Sequence, residues 1–211
     1  MNILKTIKED LTDRQALAAV GLVWRSYAFW LLAGALAGWV YCACAAQSIN
    51  TLGGAVVLWV FSALLAAIAV ADAKTYIVPD IFVYPLAFLA IFYVPTNPVS
   101  MAIGAVVLGG MFYLVKVLSE KATGKDALGW GDVKLVAALG LWVGITGIVP
   151  FLLSASLSSV VVVFGLRLWR DKTPLVPYAP FLAFGGWVAY AYGMYINDWL
   201  ITFRQQFLEI V

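Results

Sequence analysis

The chain has 211 residues, 64% of them hydrophobic and 11% charged, with a mean hydropathy of +0.96. Those values exclude an ordinary soluble domain and indicate a polytopic membrane protein. A net charge of +2 argues against a nucleic-acid partner, and the lack of any histidine excludes His-based catalysis, His proton switches and most zinc sites.

Residues 1–26 read as a cytoplasmic or interfacial segment. Ile3, Leu4, Ile7 and Leu11 repeat at helical spacing, and TDRQ at 12–15 fits a capping box. Apolar spans follow at Tyr27–Ala46, Leu52–Ala71, Ile81–Val94, Val99–Leu118, Leu135–Val149, Phe151–Leu168 and Phe181–Ile196. The first holds Cys42 and Cys44, too few ligands for structural zinc and read as small apolar residues. ACA at 43–45 resembles a signal-peptide cleavage site, but the polar stretch ahead is long and carries Glu9, Asp10 and Asp13. The third span is short and contains Pro85. Only Gly144, Thr146, Gly147 and Pro150 interrupt the chain between the fifth and sixth spans, which predicts a tight hairpin. Beyond the seventh, Trp199, Phe203, Phe207 and Ile210 repeat at helical spacing in an interfacial tail, residues 197–211. The expected fold is an all-α membrane bundle of seven helices over residues 27–196.

The basic residues sort by side. Lys5, Lys8, Arg14 and Arg25 precede the first span, and Lys74 follows the second. The loop after the fourth receives Lys116, Lys121, Lys125 and Lys134, and the loop after the sixth receives Arg167, Arg170 and Lys172. The opposite side receives only Arg204. By the positive-inside rule the N-terminus is cytoplasmic and the C-terminus external.

Of the 11 acidic residues, most sit among lysines and arginines or on the far side and read as solvated surface. Asp72, Asp80 and Asp132 remain, all on the cytoplasmic face. Asp80 follows Pro79 and reads as a helix cap. Asp132 also starts a helix, but Gly129 and Gly131 before it strip bulk from the backbone, leaving room for another chain. Asp72 ends the second span, where the helix dipole disfavours an anion. Either Lys74 compensates it, or it is an acid held at the membrane edge for function. If the two helices are neighbours, Asp72 and Asp132 share a water. Such a pair keeps one proton and one basic oxygen, enough to activate water against a peptide carbonyl without a metal or other cofactor.

GWGDVK at 129–134 resembles the Gly-x-Gly-Asp motif of intramembrane aspartyl proteases, in the form found in type IV prepilin peptidases. DAKTYIVPD at 72–80 is similar to that family's first aspartate motif, and PYAPFLAFG at 177–185 resembles the proline-rich opening of its last catalytic helix. The resemblance covers roughly Ala66 to Val188 and implies Asp72 and Asp132 as the catalytic pair. Gly129 and Gly131 would shape the approach to Asp132. Pro177, Pro180 and the residues up to Gly185 would line the substrate channel. Pro79 and Asp80 complete the first motif; Lys134 matches the motif lysine, a position that snorkelling to lipid phosphate explains equally well.

The implied activity is removal of short basic leaders from type IV prepilins, pseudopilins or preflagellins at the cytoplasmic face of the inner membrane. Bifunctional family members carry an N-terminal domain with two Cys-x-x-Cys pairs. Here the segment before the first span contains no cysteine, so the expectation is the protease part alone. Two other classes are open: a proton- or cation-coupled transporter, which predicts acids at mid-span, and an inactive assembly subunit, which predicts loss of an aspartate or glycine.

Overall fold

The computed structural model describes Gly34 and residues 52–93, 97–124, 128–169 and 176–210. The N-terminal segment, the expected first span apart from Gly34, Cys42 and Cys44, and the loop residues Lys125, Arg170 and Lys172 lie outside the described residues. Six helices are described: α1 (Leu52–Thr75), α2 (Asp80–Tyr93), α3 (Pro98–Thr123), α4 (Trp130–Val143), α5 (Ile148–Trp169) and α6 (Ala179–Ile210).

Among the described residues, three stretches are long and apolar enough to cross a membrane: Val56–Thr75, Pro98–Ala122 and Ile148–Leu168. α2 and α4, where the third and fifth spans are expected, have 14 residues each. That is roughly 21 Å of helix against about 30 Å of hydrocarbon. The chain is a helical membrane bundle with two short members. α6 has 32 residues and runs unbroken past Asn197, so the expected C-terminal tail continues the last helix instead of forming a separate segment.

Local chemistry sets the ends. Asn97 accepts from Val99 N–H at 2.9 Å to cap α3, with Pro98 where no donor is needed. Gly124, at φ +64°, closes the other end by donating to the Glu120 carbonyl. The loop lysines need correction: Lys116 and Lys121 lie inside α3 and Lys134 inside α4, and Lys116 is only 1% exposed.

In a bilayer, close backbone packing replaces much of the hydrophobic drive, which favours small residues at contacts. Gly104 of α3 and Gly140 of α4 meet so closely that a Cβ on either would fall under 3 Å from the other's backbone. Gly185 of α6 packs in the same way on Ala155 of α5. The turn at 144–147 is as tight as the sequence predicts, with Gly144 at φ +59°. The helices it joins nevertheless diverge: α5 packs along α6, and α4 along α3.

α1 and α4 make little direct contact, and each packs on both α2 and α6. Phe61 of α1, Trp142 of α4 and Tyr190 of α6 pack as one buried aromatic cluster, with Phe61 and Trp142 centroids 4.1 Å apart. Trp142 donates its indole N–H to the Leu86 carbonyl of α2 at 2.9 Å, so four helices are tied together beneath the site. Val106, Leu157 and Phe164 are exposed on outer faces, as lipid contact requires.

Candidate active site

Asp72 lies in the last turn of α1 with 6% exposure. Its Oδ2 accepts from the backbone N–H of Ala179 at 2.9 Å. Ala179 is the first residue of α6, so the carboxylate faces the positive end of a helix dipole, which offsets its poor position on α1. Lys74, one of the two readings the sequence left open, is exposed; the compensation comes from a segment 107 residues away. Pro180 follows Ala179 in the first turn, where its missing N–H costs nothing.

The chain leaves α1 through Tyr76, at φ +55°, whose N–H donates to the Asp72 carbonyl at 2.8 Å. This left-handed cap usually belongs to glycine. It turns residues 77–79 towards α4. A Cβ on Gly131 would lie 2.7 Å from Val78 Cβ, so the second glycine lets the two aspartate motifs touch. The room expected there for a substrate is already filled by the chain itself. Gly129 is different: a Cβ there would meet Asp132 Oδ2 at 3.5 Å and the Gly131 nitrogen at 3.9 Å, both ordinary contacts.

Asp132 sits in the first turn of α4, three residues after the N-cap Gly129, and reaches back to the Gly129 N–H. Its Oδ1 is buried with no hydrogen-bond partner among the described residues. Asp132 stands ahead of the apolar run that begins at Leu135. Burial raises its carboxyl from 3.8 to about 6, the Asp72 charge adds to the shift, and the Gly129 N–H opposes it. Asp72 and Asp132 thus meet on one cavity of about 310 Å³, walled also by Tyr76, Val78, Trp130 and Lys134. α2 and α6 bring the pair together, not the direct helix contact that the sequence suggested.

Asp80 opens α2, but its carboxylate is engaged by Lys134 Nζ at 2.6 Å, with the Tyr84 hydroxyl at 3.5 Å. Lys134 therefore pairs across motifs instead of snorkelling to phosphate. The hydrogen bond to Asp80 raises its ammonium above the usual lysine value. Pro79 is buried beside the cavity. The segment Pro177 to Gly185 does not line that cavity; Pro177 and Pro180 instead frame the start of α6, where the Ala179 N–H holds Asp72. Tyr178, expected from sequence only as part of the channel-lining stretch, is a neighbour of Asp132. Burial, and secondarily the Asp132 charge, raise its phenol above the ordinary value. Its ring packs on Phe112 and Phe181. The only sequence signal for Tyr178 and Ala179 is their place between two prolines. Among the described residues no three His, Cys, Asp or Glu side chains cluster as metal ligands.

Residues 59–164, half of the chain, match the profile of the type IV leader peptidase family. A prepilin leader peptidase/N-methyltransferase of Xanthomonas campestris is 35% identical over 160 residues, covering 71% of this chain and 53% of the relative. Proteins of the same description from Dichelobacter nodosus and Pseudomonas aeruginosa are each 34% identical, covering 66% of this chain and 49% and 50% of their own lengths. The chain thus spans about half the length of the curated relatives it matches. No solved structure matches it. The matched region contains both aspartate motifs, and the chain belongs to the type IV leader peptidase family.

Proposed function

We propose that the chain is a membrane-embedded aspartic endopeptidase that removes the leader from type IV prepilins or related pilin-like precursors. The observation that carries the proposal is the convergence of Asp72 and Asp132 on one cavity, with a buried oxygen on Asp132 that has no partner among the described residues. A water bound between the carboxyls gives one proton to the basic carboxylate as its oxygen attacks the scissile carbonyl. The protonated carboxyl delivers its proton to the leaving amine as the C–N bond breaks. The products are a leader ending in a carboxylate and a pilin with a new amino terminus, and the two aspartates have exchanged roles.

The topology belongs to the same proposal: seven spans, N-terminus cytoplasmic, in the inner membrane. The exposed Lys74 and Lys134 lie at the cavity end of the bundle, which supports placing that end at the cytoplasm. Both acids sit at helix ends, which disfavours a mid-membrane ion relay. Intact aspartates and glycines disfavour an inactive assembly subunit. Co-expression with a panel of prepilins, scored by mass spectrometry for leader loss, tests the function. Cleavage of at least one panel member only when this chain is present is the expected result. A folded, membrane-inserted protein that cleaves none of them argues against it.

A further inference from the structure

Lys116 is 1% exposed inside a membrane bundle, a costly place for an ammonium that a leucine or methionine would fill by packing alone. Its Nζ lies 2.5 Å from Glu120 Oε1 on the next turn and 5.2 Å from the centre of the Trp130 ring. It also donates to the Leu128 carbonyl at 2.8 Å. That last bond has a consequence one peptide further on. The Leu128 carbonyl and the Gly129 N–H belong to the same planar unit, and they point in opposite directions. The Asp132 carboxylate lies against the Gly129 end, its Oδ2 3.5 Å from where a Cβ on Gly129 would stand, with the Gly129 N–H as the donor that opposes its raised carboxyl value. An ammonium on one end of this peptide therefore fixes where its other end points, and polarises it into a stronger donor.

We propose that Lys116 is a positioning residue for Asp132, acting through the Leu128–Gly129 peptide. Glu120, 41% exposed, balances the buried charge, and the Trp130 face closes over it. The inference rests on the dyad reading above, and its test keeps the two apart.

Purified wild type, Lys116→Met, Lys116→Arg and Asp132→Asn are compared in detergent or liposomes on a cleaved prepilin, with kcat, KM and melting temperature read for each. Met keeps the stem but removes the donor. It is expected to melt within a few degrees of wild type, to keep KM within about twofold, and to lose kcat by about 10- to 100-fold through a misplaced acid. Arg, which still reaches a carbonyl with a cationic donor, is expected to recover most of that loss. Met at wild-type kcat, or Arg no better than Met, overturns the proposal. A Met variant that does not fold also overturns it, because Lys116 then serves the bundle and not the acid. Full activity of Asp132→Asn would instead sink the dyad reading.

Discussion

Gly129 and Gly131 look equivalent in the motif, yet they meet different surroundings. A methyl on Gly131 collides with Val78, whereas one on Gly129 finds ordinary contact at a φ of −67°. Gly131→Ala is expected to cost about 1–3 kcal/mol and most of the activity. Gly129→Ala should cost under about 1 kcal/mol, the loss of a preferred helix-capping residue. Thermal melts in detergent alongside cleavage assays separate the two; equal effects would contradict the Val78 contact. Asp132 gives a second contrast. Its carboxyl titrates near 6 in the fold against 3.8 ordinarily, so the folded state binds the proton more tightly and stability falls as pH rises through that window. Asp132→Asn should therefore melt higher than wild type at pH 7, with the advantage fading as pH drops to about 4. A midpoint difference that is independent of pH would contradict this. The two acids that meet on the cavity were legible in the sequence because a carboxylate at a helix end in apolar surroundings stands out. Ala179 was not, since a backbone N–H leaves no mark in sequence and its partner is 107 positions away.

The helices owe their arrangement to small residues more than to hydrophobic stripes. Gly104 and Gly140 bring α3 and α4 into backbone contact, while Gly110 on α3 has open space around it. Gly104→Ala should destabilise the bundle by about 1–3 kcal/mol, and Gly110→Ala should be neutral or stabilising by up to about 1 kcal/mol. Melting temperatures of the two variants check this, and a reversed order would show that the α3–α4 contact is misplaced. Apolar runs and polar breaks located each described helix. They did not show that α2 and α4 fall short of a full span, that α4 and α5 part after their turn, or that α6 continues beyond Asn197. Run length reports burial against lipid or protein alike. It cannot tell a helix that crosses the bilayer from one that packs inside the bundle.

For the whole molecule, the dyad cavity lies at one end of α4 and the Gly144–Gly147 turn at the other, about 20 Å away by helix rise. The proposed orientation puts the first end in the cytoplasm. Single cysteines in place of Lys74 and of Thr146, in a background with Cys42 and Cys44 replaced, should react with an impermeant maleimide from opposite faces of sealed vesicles. Labelling from the same face would contradict the topology. Of the described basic residues, the exposed Lys74 and Lys134 lie at the cavity end, whereas Lys116 is buried in α3, which the charge pattern alone did not reveal.

In the proposed mechanism Asp72 and Asp132 act as one water-activating pair. The measurement that tests it most directly is leader cleavage by purified wild type, Asp72→Asn and Asp132→Asn, each shown folded by its melt. Both variants are expected to lose several orders of magnitude in kcat, with the double variant no worse than either single one. Substantial cleavage by either single variant, or losses that multiply in the double variant, would contradict it.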